Sequence, residues 1–122
     1  MWVFQQSTGK LTNPAGVVVG VGYSGNGADL NNPAGQGDVK HGPCPQGKWI
    51  IGTFFNDCHL GPIVAHLTPC PGNDMDGRDG GFMVHGDNEH LNHTASDGCI
   101  ILSHALREAI QQRGDKGLEV VA

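Results

Sequence analysis

Positive charge is scarce in this sequence: seven lysines and arginines stand against twelve aspartates and glutamates, a formal net charge of −5. No basic block or basic–aromatic interleaving offsets that balance, so the footprint of nucleic-acid binding is missing and no nucleic-acid partner is expected. Apolar runs are short as well. None approaches the roughly 20 residues of a membrane-crossing helix, and no membrane insertion is expected. The opening residues, MWVFQQSTGK, lack a positive region followed by an apolar core and a small-residue cleavage site. The expectation is a soluble chain made in the cytoplasm without an export signal of the usual kind.

Three further absences narrow the architecture. No low-complexity stretch or internal repeat divides the 122 residues, which predicts one domain over 1–122. The four cysteines, Cys44, Cys58, Cys70 and Cys99, contain no C-x-x-C, which argues against a zinc ribbon or a thioredoxin-like site. They could form two disulfides in three pairings, or at most one if Cys99 has a separate task. Long amphipathic runs are missing too, apart from one near the C-terminus.

What the chain does have is 20 glycines and 7 prolines, which cut it into pieces of strand length. β-prone runs fall at Trp2 to Gln6, Val17 to Tyr23, Lys48 to Phe55, Ile63 to Thr68 and Gly81 to His85, with STGK as a turn between the first two strands. GYSGNGADLNNPAGQGD reads as a long surface loop, with GYSGNG flexible over a cleft, and TPCPGNDMDGRDGG as a second irregular stretch. HALREAIQQR predicts the single helix, N-capped by Ser103, ended by Gly114, and apolar along Ala105, Leu106, Ala109 and Ile110. LEVVA supplies a last strand. The fold class that follows is mainly β: a small sandwich or barrel-like domain with one helix packed against it.

Chemistry concentrates in MVHGDNEHLNHTASDGCIIL, residues 83–102. Two apolar segments joined by a polar loop can return His85 to the side of Cys99. A thiol becomes a competent nucleophile when a neighbouring histidine takes its proton, so His85 is the expected base and Cys99 the expected nucleophile. Gly98 leaves room for a substrate carbonyl, peptide N–H groups around Gly98 and Cys99 are candidate oxyanion donors, and Ser96 can orient the loop. The predicted reaction is acyl transfer at an amide through a thioester.

VHG followed by ASDGCI resembles the signature of YkuD-type L,D-transpeptidases. GYSGNG, NNPAGQG, GPCPQGKWIIG, GRDGGFMVHGD and SDGCIIL fall in the order seen in the type VI secretion L,D-transpeptidase effector family, to which the chain is most similar. The resemblance implies a small β-rich catalytic domain, needing no cofactor and no metal, that acts on peptidoglycan tetrapeptide stems containing meso-diaminopimelate. It implies removal of the terminal D-alanine or its exchange for another D-amino acid. It also implies secretion into the periplasm of a target bacterium and a cognate immunity protein as partner. Carried over by position, Cys99 is the nucleophile, His85 the base, and Ser96, Asp97 and Gly98 are motif residues. Many housekeeping members have a histidine where Asp97 stands and an arginine where Ile101 stands. A substrate carboxylate would then need Arg78 or Arg107. Arg78, Asp87 and Tyr23 are the candidate substrate-binding residues, and Asp87 or a backbone carbonyl is expected to orient His85.

Rival readings remain at this stage. His85, Asp87, His90, His93 and Cys99 are acceptable zinc ligands, although their spacing matches no helical H-E-x-x-H pattern. Papain-like or NlpC-like cell-wall amidases also use cysteine and histidine, but there the cysteine generally opens a helix and precedes the histidine. A non-catalytic domain of a secretion or phage particle is the third reading. Cys44 and Cys70, beside prolines, are read as structural or disulfide-bonded.

Overall fold

The computed structural model describes residues 1–88 and 93–122. In chain order it contains β1 (Trp2–Gln5), β2 (Lys10–Thr12), β3 (Val18–Val21) and β4 (Tyr23–Ser24), then two short 3-10 turns, Gly27–Asp29 and Pro33–Gly35. β5 (Gly47–Ile51), β6 (Phe55–Asp57), β7 (Gly61–Pro69), β8 (Met83–His85), β9 (Ile100–Ile101), helix α1 (His104–Arg113) and β10 (Gly117–Val121) follow. The strands pair in the order β3-β2-β1-β10-β5-β7-β8-β9-β4, with β6 added beside β7. This is the mainly β, barrel-like architecture with one helix that the composition predicts.

The sheet nearly closes because its two end strands are consecutive in the chain. Only Gly22 separates β3 from β4. Its N–H donates to the Gly9 carbonyl at 2.7 Å, and a Cβ on Gly9 would fall 1.9 Å from the Gly22 oxygen. Gly9 also has φ of 73°, so this corner needs glycine both for backbone conformation and for close approach. The STGK turn forms, but it leads into β2, which none of the expected strand runs covers, rather than into the Val17–Tyr23 run, and β1 and β2 pair antiparallel.

Alternation builds the core. Trp2 and Phe4 of β1, Trp49 and Ile51 of β5, and Leu118 and Val120 of β10 point inward, while their neighbours are more exposed. Trp49 meets the Phe82 ring edge-on at 5.2 Å, just upstream of β8. The wall that carries the functional segment is therefore backed by large, well-packed side chains.

Local structure departs from the sequence expectations in three places. The run from Lys48 to Phe55 breaks after Ile51, and β6 then pairs with a more N-terminal part of β7. GYSGNG is no flexible flap: Tyr23, Ser24 and Gly25 are buried, with Tyr23 and Ser24 forming β4 against β9. In α1, Ser103 caps Leu106 and Gly114 ends the helix in a left-handed conformation, as expected, but Ala105 and Ala109 are exposed. Arg107 is buried in their place, and its hydrogen bonds to backbone carbonyls explain why a cation occupies the inner face.

Candidate active site

β8 and β9 run parallel, with Val84 opposite Ile100 and His85 opposite Ile101. Continuing that register by one residue sets Cys99 opposite Met83. Side chains alternate along a strand, so Met83, His85, Cys99 and Ile101 share one face, joined by Tyr23 from β4. Val84, Ile100 and Ser24 take the other face, where Val84 and Ile100 enter the core. The parallel pairing brings His85 and Cys99 to diagonal positions, with Cβ atoms about 7 Å apart by sheet geometry.

His85 is nearly buried, and its Nδ1 lies 2.7 Å from the Gly86 carbonyl. That carbonyl can only accept a hydrogen bond, so Nδ1 carries the hydrogen and Nε2 keeps its lone pair. Of the two orienting groups that the sequence leaves open, the backbone carbonyl fills the role. Burial holds the imidazole pKa below its ordinary value, against the Gly86 carbonyl, which raises it; the Arg107 cation lowers it further.

Burial pushes the Cys99 thiol up, opposed by a hydrogen bond from the Met83 backbone; nearby Asp97 raises it and the Arg78 cation lowers it. The resting pair is thus a neutral thiol and a neutral imidazole. Cys44 is wholly buried, and its thiol is raised well above the ordinary value by desolvation. All four cysteines carry free thiols, with Cys58 exposed. Iodoacetamide followed by peptide mapping is expected to label Cys58 readily and Cys44 only on unfolding; fast labelling of Cys44 in the folded chain would contradict this packing.

Two buried serines grip the peptide before Cys99. Ser96 Oγ accepts from the N–H groups of Gly25 at 2.9 Å and Gly98 at 3.1 Å, and donates to the Cys99 carbonyl at 2.5 Å. Ser24 Oγ accepts from the Cys44 N–H and donates to the Gly98 carbonyl. The Gly98 N–H is therefore spent on Ser96, which narrows the oxyanion expectation to the Cys99 N–H. Ser96→Ala would orphan buried groups; a loss of about 1–3 kcal/mol is expected in urea denaturation, and a cost below 0.5 kcal/mol would contradict this bracing role. Asp97 points outward and comes within 3.9 Å of His41 Nδ1.

Arg78, one of the candidate substrate-binding residues, is buried rather than a solvated surface charge. Its guanidinium donates to the carbonyls of Gln36, Pro43 and Asp97 and lies 5.0 Å from the Phe82 ring centroid. It braces the segment before Cys99 and lines, with that thiol, a depression of about 200 Å³. His85 lines a neighbouring depression of about 180 Å³, together with Gly86 and Asp87. Tyr23, another candidate, donates its hydroxyl to Asp87 Oδ1 at 2.6 Å and accepts from the Ala95 N–H at 3.1 Å. One phenol thus ties both ends of the segment that separates His85 from Cys99.

Sequence reasoning missed Ser24 and underused Arg107. Ser24 sits in a glycine-rich stretch that masks a strand, whereas Arg107 was visible as a cation set among the apolar positions of a helix. His90 of the zinc reading lies outside the described residues, and His93 is exposed with its ring 4.9 Å from that of Tyr23. No group of three or more histidine, cysteine, aspartate or glutamate side chains among the described residues is arranged to hold a metal ion.

A family model described as the Tlde1 domain matches residues 19–120. No curated protein matches the chain.

Proposed function

From the premise that the chain belongs to the Tlde1 domain family, whose name denotes type VI secretion L,D-transpeptidase effectors, we propose that it is a cysteine acyltransferase acting on peptidoglycan stem peptides. The observation that carries this reading is the parallel β8–β9 pair, which sets His85 and Cys99 on one face while Gly86 leaves His85 Nε2 free.

In the proposed reaction His85 Nε2 takes the proton of Cys99 as sulfur attacks the carbonyl between meso-diaminopimelate and D-alanine. The Cys99 N–H stabilises the oxyanion. Collapse breaks the C–N bond, His85 returns the proton to the nitrogen, and D-alanine leaves with a free amino group. Water, activated by the same imidazole, converts the thioester to the tripeptide acid; attack by the amine of another D-amino acid gives the exchanged tetrapeptide. The YkuD-type ancestry, action in a competitor's periplasm and protection by an immunity protein belong to the same reading.

Incubation with purified tetrapeptide stems is expected to give tripeptide and D-alanine. Cleavage at the sugar-proximal amide instead would favour an amidase, and an unchanged substrate would favour a non-catalytic domain. The pH profile adds a second test. His85 must be neutral to act as base, and its folded pKa lies below 6.5, so kcat/KM should hold as pH falls to about 6.5 and drop only below it. The limb belongs to the Cys-His pair as a unit. The same depression means that the unfolded chain binds more protons there, so His85's contribution to stability is lost as pH falls from 6.5 through its folded pKa. An acid limb centred above pH 7 would contradict the burial of His85.

A further inference from the structure

Beside the proposed catalytic face lies a cleft of about 470 Å³ where β4, β9 and the start of α1 meet; Tyr23, Asp87, Ile101 and Arg107 are among the residues that line it. Ile101 stands two positions beyond Cys99 on the same strand face, so the cleft begins about 7 Å from the proposed nucleophile. That is within reach of a substrate side chain or of a small second substrate.

Arg107 supplies the charge. It is only 6% exposed. Its Nε donates to the Leu102 and Ser103 carbonyls and its Nη1 to those of Pro62 and Ile63. Nη2 donates to no described residue and sits where a side chain on Gly86 would collide with it, at 2.6 Å. No buried side-chain nitrogen or oxygen among the described residues lacks a partner, so Nη2 reaches solvent. Among the described residues no carboxylate lies within ion-pair distance of this guanidinium. Buried charges are ordinarily paired, and an orientated cation neutralised only by carbonyl dipoles, with one nitrogen open, is a site for an anion.

Asp87 gives the cleft its second charge. Its Oδ1 accepts from the Tyr23 hydroxyl and the Asn88 N–H, which fixes the carboxylate, while among the described residues no hydrogen bond engages Oδ2. We propose that this cleft is a subsite for the zwitterionic end of an α-amino acid, its carboxylate on Arg107 Nη2 and its ammonium on Asp87. The inference rests on the acyl-transfer reading, to which it adds a binding residue that replaces the absent arginine at position 101. Two ligands share this chemistry: a free amino acid arriving as acceptor, and the zwitterionic end of the diaminopimelate side chain in the stem.

Titration calorimetry on the Cys99→Ala chain tests it without turnover and without disturbing Arg107. D-methionine is expected to bind saturably. D-methioninol, lacking the carboxylate, and N-acetyl-D-methionine, lacking the ammonium, should each bind at least about tenfold more weakly. Asp87→Asn keeps the acceptor for Tyr23 and should weaken D-methionine by a similar factor. A diaminopimelate tetrapeptide that binds at least about tenfold more tightly than its lysine counterpart, and that D-methionine displaces, identifies the stem side chain as occupant; equal binding of the two peptides beside saturable D-methionine identifies the free acceptor. Equal binding of D-methionine and its two uncharged-end analogues, or no saturable binding of amino acid or tetrapeptide, overturns the subsite. Tetrapeptide turnover by the intact chain is read separately: turnover without such binding removes only the subsite, and binding without turnover removes only the acyl-transfer reading.

Discussion

Cys99→Ala is expected to reduce conversion of tetrapeptide to tripeptide by at least about 10⁴-fold, the scale seen when an enzyme loses its covalent nucleophile. Among the described residues the thiol is the only group on the His85 face that could form the proposed thioester, and the imidazole cannot replace it. Stability should change by less than about 1 kcal/mol, because the substitution removes one sulfur from a half-buried position and leaves the serine contacts to the preceding peptide intact. Activity within tenfold of the parent chain, at unchanged folding, would show that the reaction runs elsewhere. Loss of activity with loss of the near-ultraviolet circular dichroism of Trp2 and Trp49 would show instead that Cys99 supports the core.

Gly98→Ala should strike both activity and fold. Gly98 has φ of 136°, a conformation closed to residues with a Cβ. The added carbon would fall 2.5 Å from Arg78 Nη2 and 2.7 Å from the Phe82 ring. Arg78 cannot easily yield, since its guanidinium is already held by three backbone carbonyls, and Phe82 is locked against Trp49. Backbone strain and overpacking together cost about 2–4 kcal/mol, on the order of 10 °C in melting temperature for a domain of this size. Turnover should fall at least about 100-fold even below the melting point, because a shift of about 1 Å in the Cys99 peptide misplaces the sulfur. A melting point within 2 °C of the parent with full activity would contradict the close packing behind Cys99.

The contrast between these residues shows which features the sequence makes legible. His85 and Cys99 are readable because their chemistry is rare in combination and each adjoins an apolar strand run. The strands of the core are readable from alternation, as Trp2, Phe4, Leu118 and Val120 illustrate. β4 is not, because two residues between glycines carry no periodicity, and only pairing with β9 defines it. The break after Ile51 is likewise set by a partner strand rather than by local preference. Arg78 looks like a surface charge in the sequence, since nothing local reveals that the carbonyls of Gln36, Pro43 and Asp97 converge on it, and the Pro62 and Ile63 carbonyls that help to hold Arg107 come from β7, more than forty residues away. Tyr23 could be picked out as the sole tyrosine, but its hold on Asp87 and Ala95 is a product of the closed sheet.

The most direct test of acyl transfer by Cys99 is mass spectrometry of the intact chain and its peptides after acid quench during tetrapeptide turnover. The account predicts a tripeptide acyl group on Cys99, cleavable by hydroxylamine and missing from the Cys99→Ala chain. Steady product formation with no acyl group on any cysteine, or with the group on Cys58 or Cys70, would contradict it.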